Sequence, residues 1–313
     1  MGGKHTADIL PPDAGGIAQA AELLRAGRLV AVPTETVYGL AARADRVEAV
    51  AAIYRAKGRP DFNPLISHLA QIEQAEALAM LDERAMRLAD AFWPGPMTLV
   101  LPVREPLGVV PAVTAGLPTI ALRMPSHPVM RALLQQFDFP LAAPSANRSG
   151  FISPSRPEHV LQSLGNRVDA ILDGGPCVQG VESTIIALRP DGWQILRPGP
   201  ITQEDVSALL GPPLQVETDT IEAPGQMTSH YAPGKPVRLH AEQARSDEFM
   251  IGFGLVAGDV TLSETGDLAE AAARLYQCLH EGAAASQPVI AVAPIPQHGL
   301  GAAINDRLRR AAA

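Results

Sequence analysis

From Ile17 to Leu210 short apolar runs alternate with amphipathic segments of helical period, and this alternation limits the chain to a mixed α/β architecture. Helices are expected over Ile17–Ala26, closed by Gly27, from a cap at Asp45 to Lys57, from a cap at Asp82 to Phe92, and over His127–Gln136. Ser155-Arg156-Pro157-Glu158 reads as a capping box for a helix ending near Gly165, and a further helix covers Thr202–Leu210. Strands are expected at Leu29–Val32, Leu65–Ser67, Met97–Leu101, Thr119–Arg123, Leu141–Ala143, Asp169–Leu172, Ser183–Leu188 and Gln194–Leu196. Some strands follow one another without an intervening helix, so the sheet should be mixed, not doubly wound and purely parallel.

After Leu210 the pattern changes. Residues 211–236 hold Pro212, Pro213, Pro224, Pro233 and Pro236 with little periodicity, the signature of a linker. Strand patterns return at Val237–Leu239, Phe249–Phe253 and Val289–Val292. An Ala-rich helix follows Asp267 to Glu281, and a closing helix covers Gly301–Arg310. A length of 313 residues suits about two domains. We expect a first domain over 1–210, a linker or lid over 211–236, and a small α/β, Rossmann-like domain over 237–313.

Composition excludes several functions. A net charge of -8 argues against a surface that coats tRNA or DNA phosphates, although a local basic pocket remains compatible with it. Cys177 and Cys278 lie far apart and fit neither a metal spacing nor a disulfide framework. No apolar signal core and no apolar run of about 18 residues occurs, so a soluble, cytoplasmic protein without membrane contact is expected. P-loop, zincin, nucleophile-elbow and paired C-x-x-C patterns are missing. Gly252-Phe253-Gly254 is out of register for a dinucleotide fingerprint.

The polar residues concentrate instead on loops beside strand ends, where α/β sheets bind ligands. Pro33-Thr34-Glu35-Thr36-Val37-Tyr38-Gly39-Leu40 makes a polar cup or a satisfied turn. Lys57 and Arg59, leaving a helix end between prolines, suit either a helix C-terminus or a phosphate clamp, with Asn63 just after. Arg123 interrupts an apolar strand and needs a partner, either an internal carboxylate or a ligand's. Pro144-Ser145-Ala146-Asn147, Ser153, Val181-Glu182-Ser183-Thr184 and Arg197-Pro198-Gly199-Pro200 add further polar loops, and His68 alone suits a structural role.

These segments together resemble a known family. PTETVYGL at Pro33, KGRP at Lys57, NPL at Asn63, FWPGPMTLVL at Phe92, LRMPSHP at Leu122, APSAN at Ala143, GVESTI at Gly180, LRPG at Leu196 and SHYAPGKP at Ser229 occur in the order seen in the two-domain L-threonylcarbamoyladenylate synthases. The catalytic part of that family is a YrdC-like domain. The resemblance implies a twisted mixed sheet with flanking helices and a concave, positive cavity. It also implies a reaction: bicarbonate carboxylates the amine of L-threonine, the carbamate attacks the α-phosphorus of ATP, and pyrophosphate leaves. A separate transferase complex then carries the threonylcarbamoyl group to tRNA, so this chain need not bind tRNA strongly itself.

By the same resemblance Thr36, His68, Arg123, Ser145 and Ser183 bind threonine, with Arg123 on its carboxylate. Lys57, Arg59, Asn63, Thr119, Ala143 (through its backbone), Ser153, Arg197 and Tyr231 bind ATP. Lys57 and Arg59 are the catalytic pair that holds the phosphates, and Mg2+ is expected to bridge phosphate oxygens. No protein metal site is expected, and no residue stands out as a general base. A carbamate is a weak, unstable nucleophile, so positioning, charge neutralisation and exclusion of water should carry the catalysis. The rival readings are an RNA-binding module, disfavoured by charge and few aromatics, and a carbamoyltransferase using the same cavity. The latter would bring acylphosphatase or zinc-finger segments, and the cysteine pattern excludes the zinc part.

Overall fold

The computed structural model describes residues 7–214, 222–226 and 230–313. The start of the segment at Ser229 and part of the expected linker lie outside them. The strands are β1 (Asp8–Leu10), β2 (Val30–Val32), β3 (Gly39–Arg43), β4 (Ile66–His68), β5 (Met97–Pro102), β6 (Thr119–Arg123), β7 (Leu141–Ala142), β8 (Ala170–Leu172), β9 (Thr184–Arg189) and β10 (Gly192–Arg197), then β11 (Val237–Arg238), β12 (Glu248–Gly252), β13 (Val260–Thr261) and β14 (Val289–Val292). The helices are α1 (Ala14–Arg25), α2 (Val47–Lys57), α3 (Ile72–Leu78), α4 (Glu83–Phe92), α5 (Pro111–Thr114), α6 (Pro128–Leu134), α7 (Pro157–Leu164), α8 (Gln203–Leu210), α9 (Leu268–Ala284) and α10 (Leu300–Ala311).

The first ten strands form one sheet in the order β1-β8-β2-β3-β7-β4-β6-β5-β9-β10. Parallel and antiparallel neighbours both occur, as the paired strand patterns predict. A second, smaller sheet, β11-β14-β12-β13, is parallel throughout.

Period-two alternation divides the large sheet into two unlike faces. Ala31, Leu40, Ala42, Leu99, Leu122, Ala142 and Ile186 point to one face and join a single extended core with Val50, Ile53, Leu88 and Val160 from α2, α4 and α7. The other face is covered in two separate patches. Val30, Val32, Ala41, Leu141 and Ala170 pack under α1 and α6 through Ala20, Ala21, Leu24, Met130 and Leu133. Ile66, Val100, Ala121, Ile185, Ala187 and Leu196 pack under Ala223, from the proline-rich segment. Between these patches the side chains are polar.

The structure corrects two helix starts and one strand. Asp82, Thr202 and Asp267 do cap their helices through their side chains, Thr202 in a reciprocal box with Asp205. Asp45 does not: it forms a two-pronged ion pair with Arg43 at 2.7 Å, and α2 starts one turn position later without a side-chain cap. The expected box at Ser155 is also absent, because the chain enters α7 at Arg156 and Ser155 faces the His159 ring. Gly39–Arg43, read as the end of a loop, is a central strand. β1, α3 and β13 are too short to show a period and were not expected.

One tight crossing fixes the geometry of the open face. Gly199, just beyond β10, passes so close to the start of β9 that a Cβ there would lie 2.4 Å from the Thr184 nitrogen and 2.6 Å from the Glu182 oxygen. Only a residue without a side chain lets Arg197 and Ser183 meet. Gly199→Ala should therefore lower unfolding stability by about 1–3 kcal/mol, measured by urea titration.

Candidate functional site

The polar gap on the second face is a cavity lined by Thr34, Thr36, Val37 and Gly39, by Ile66, His68, Arg123, Ala143 and Ser145, by Glu182, Ser183 and Arg197, and by Arg59, Pro224, His230 and Tyr231. It encloses about 40 Å³, room for a few waters at most. Its residues come from opposite ends of their strands: Gly39 begins β3, whereas His68, Arg123 and Arg197 end β4, β6 and β10. The cavity thus lies across the sheet face and not along one edge, as a reading based on strand ends suggests.

Three cations define its electrostatics. Lys57, the last residue of α2, is buried and donates from Nζ to the carbonyl oxygens of Ser145 and Asn147, both at 2.5 Å. Burial first, and Arg59 second, push its ammonium well below the usual lysine value. Gly58 turns left-handed at φ 60 and aims Arg59 back. Arg59 donates to Asn63 Oδ1 at 2.5 Å and to the Pro64 carbonyl at 2.8 Å, and burial lowers its pKa to about 10. Arg197 donates through Nε to the Ser183 carbonyl at 3.1 Å and through Nη2 to Ser183 Oγ at 3.0 Å. Ser183 Oγ in turn meets Thr98 Oγ1 at 2.8 Å. Among the described residues none of these three cations has a carboxylate within ion-pair distance. Burying a charge without a counter-charge is unfavourable, so such a cluster is expected where an anion binds.

The carboxylate on the cavity wall, Glu182, and the one behind Arg123, Glu35, are both committed to other partners. Glu35 pairs with Arg123 at 2.6 Å, both side chains 5% exposed, and accepts from the Ser126 amide. Burial would raise the Glu35 pKa, but Arg123 outweighs it and holds the carboxyl below its ordinary value. Glu182 accepts from Ser153 Oγ at 2.5 Å, from Tyr276 Oη at 2.8 and 3.0 Å, and from Arg307 Nε at 2.9 Å. Burial opposes its charge, yet Arg307, Arg197 and these donors bring its pKa down to about 2.

Three buried polar atoms here have no hydrogen-bond partner among the described residues: His68 Nδ1, His230 Nδ1 and Tyr231 Oη. Burial lowers both imidazole pKa values to about 3, so both rings are neutral near pH 7. Tyr231 is fully buried, and its backbone is left-handed at φ 63, an uncommon conformation for a side-chain-bearing residue.

Nine of the thirteen residues singled out in the sequence line the cavity: Thr36, Arg59, His68, Arg123, Ala143, Ser145, Ser183, Arg197 and Tyr231. Lys57 stands behind Ser145, Asn63 behind Arg59, and Ser153 behind Glu182. Thr119 starts β6, four residues from Arg123, and is not among the lining residues. Arg123 meets the internal carboxylate of Glu35, the plainer of its two alternatives. Sequence reasoning missed Tyr276 and Arg307. The signal was present, since Ala303, Ile304, Arg307, Leu308 and Ala311 form one helical stripe with a charge inside it. The described residues contain no cluster of three or more His, Cys, Asp or Glu able to hold a metal. None of their helices is long and apolar enough to cross a membrane.

A mixed sheet carrying a buried cation cluster, with a second, parallel-sheet domain packed against it, defines a two-domain α/β protein. The Sua5/YciO/YrdC family model, described as telomere recombination, matches residues 22–199. The model for the threonylcarbamoyl-AMP synthase C-terminal domain matches residues 201–313. The chain therefore belongs to the two-domain threonylcarbamoyl-AMP synthase family of enzymes. It is 42% identical to the threonylcarbamoyl-AMP synthase of Bacillus subtilis, covering 95% of this chain and 92% of that protein. Its identity to the same enzyme of Pyrococcus abyssi is 40%, over 93% and 92% of the two chains. A crystal structure of P. abyssi Sua5 complexed with L-threonine superposes with a TM-score of 0.90 at 36% identity, covering 98% of each chain.

Because His68 and His230 are neutral when folded and titrate near 6.5 when unfolded, their contribution to stability is complete above pH 6.5 and is lost as pH falls toward 3. Stability should fall between pH 7.5 and pH 5, and His68→Gln should lessen that loss by about 2 kcal/mol, read from urea unfolding at the two pH values.

Proposed function

We propose that this cavity makes threonylcarbamoyl-AMP from L-threonine, bicarbonate and ATP. The observation that carries the reading is the trio Lys57, Arg59 and Arg197, buried cations whose hydrogen-bond partners among the described residues are neutral oxygens around one cavity. The triphosphate supplies the missing counter-charge, with Arg59 and Arg197 against it and Lys57 fixing the Ser145 loop beside it. Tyr231 Oη and the backbone at Ala143 complete the nucleotide side. Asn63 and Ser153 serve that side through Arg59 and Glu182. Thr119 has no such support in the cavity lining, and its contact with the nucleotide rests on the family resemblance alone.

Threonine lies against Thr36, His68, Arg123, Ser145 and Ser183. Arg123 attracts the amino-acid carboxylate, and the free Nδ1 of His68 meets a polar group of the substrate. In the first step the amine nitrogen bonds to the bicarbonate carbon and water is lost. In the second a carbamate oxygen bonds to the α-phosphorus, the bond to the bridging oxygen breaks, and pyrophosphate leaves. Glu182 on the cavity wall and Glu35 behind Arg123 both have depressed pKa values and are poor bases. Alignment and neutralised charge therefore do the chemical work. With those carboxylates committed, Mg2+ enters as the nucleotide's own complex, ligated by phosphate.

Residues 1–210 then form the catalytic unit, 211–236 a strap, and 237–313 the C-terminal unit. The strap is pinned by Glu222 to Arg189 through two bonds of 2.8 Å, by Ala223 on the sheet, and by the Pro224 carbonyl near Arg197. Pro224, His230 and Tyr231 of the strap line the cavity, so the strap acts as a lid that parts for each turnover. The unstable product passes in the cytoplasm to a separate tRNA-modifying transferase complex.

Pyrophosphate release should require ATP, bicarbonate and an amino acid, with threonine preferred across an amino-acid panel. Release without threonine dependence would overturn the reading. Arg59→Ala should cut that release by roughly 100-fold or more with an unchanged circular-dichroism melt.

A further inference from the structure

The C-terminal unit is joined to the cavity by more than a covering surface. Its apolar core is shared with the catalytic unit and the strap: Val37, Ile152 and Val181 of the first and Tyr231 of the second belong to the same cluster as Leu275, Tyr276, Leu279, Ile304 and Leu308. Gly180 makes the approach possible. At φ +67 it packs so closely on α9 that a Cβ would lie 2.3 Å from the Ala272 carbonyl oxygen. The next turn of chain carries Glu182 directly to Tyr276 and Arg307, 94 and 125 residues away in sequence.

We propose that Arg307 and Tyr276 are positioning residues of the synthase site, acting on the nucleotide through Glu182 and Tyr231. Arg307 is fully buried. It donates Nε to Glu182, and Nη1 to the Pro198 carbonyl at 2.7 Å and to Asp306 at 2.9 Å. It thus grips both chain segments that build the Ser183–Arg197 pair. The same guanidinium lies 5.5 Å from the Tyr231 ring centroid, and the Tyr276 ring lies 5.7 Å from it. One C-terminal cation therefore sets two cavity walls: the Glu182–Ser183 turn that orients Arg197, and the ring whose free hydroxyl faces the substrate. A lysine cannot replace it, because three acceptors in different directions need the rigid fork of a guanidinium. This inference rests on the proposed nucleotide site.

The test is a double-variant cycle on the full chain, read as ATP affinity by calorimetry and as KM for ATP against kcat for pyrophosphate release. Arg307→Met and Glu182→Gln should each weaken ATP binding by roughly tenfold or more. The double variant should be weaker by clearly less than the product of the two. Arg307→Lys should remain impaired, and Arg309→Ala, exposed on the same helix, should match wild type. A merely structural Arg307 would lower the active fraction, and so kcat, while leaving KM and the affinity of the folded protein unchanged. That result, or additive single effects, would overturn the proposal. If Arg307→Met does not fold, Tyr276→Phe reads the same coupling, because it keeps the ring and removes only the hydroxyl bonded to Glu182. A wild-type chain that binds ATP but shows no threonine-dependent release would overturn the proposed reaction, while the affinity cycle still decides the positioning role.

Discussion

Three cations withdrawn from water, with no carboxylate at ion-pair distance among the described residues, are the constraint around which this molecule is organised. Lys57, Arg59 and Arg197 cannot be buried by a hydrophobic cover alone, because desolvation of each opposes the charge. The chain answers with carbonyl and amide oxygens supplied by loops of fixed shape: Ser145 and Asn147 for Lys57, Asn63 and Pro64 for Arg59, Ser183 for Arg197. Neutral oxygens lower the strain of burial without cancelling the field. A carboxylate at any of these places would satisfy the cation and leave nothing for an anion to do.

The same logic explains where the carboxylates went. Glu182 sits at the cavity wall and Glu35 behind Arg123, and each forms its ion pair with a guanidinium outside the trio, while Glu182 still acts on Arg197 at longer range. The guanidinium paired with Glu182 comes from the final helix of the chain. The small parallel-sheet domain thus acts on the field of the cavity as well as on its shape, although it contributes none of the three cations.

Much of the fold is legible in the sequence because most strands are continuous apolar runs with β-branched residues, and because Gly27, Asp82, Thr202 and Asp267 mark helix ends by local chemistry. Gly39–Arg43 is hidden because its five residues, GLAAR, carry little β-propensity and follow a polar turn. Asp45 misleads because an arginine two residues away competes for the same carboxylate. The motif segments point to the cavity, since eight of the residues drawn from them line it, with His68 just beyond one segment. What does not show is which residues stand behind others. Lys57, Asn63 and Ser153 look like contact residues in a linear reading, and only tertiary geometry separates them from their neighbours. Arg307 is the opposite case: a charge on the apolar stripe of a helix announces a buried partner, but not which one.

Tyr231 carries a last consequence. Its ring is fully enclosed and its backbone is held left-handed, a conformation that opposes an L-residue by roughly 1–2 kcal/mol. In the lid we propose, the packing of Tyr231 against Arg307 and Tyr276 would hold the strap shut while its own backbone pushes it open, like a latch under spring tension. Such a cover would seal the site long enough to protect a water-sensitive intermediate and yet lift more readily than a relaxed one, which would favour departure of a product that does not survive long storage.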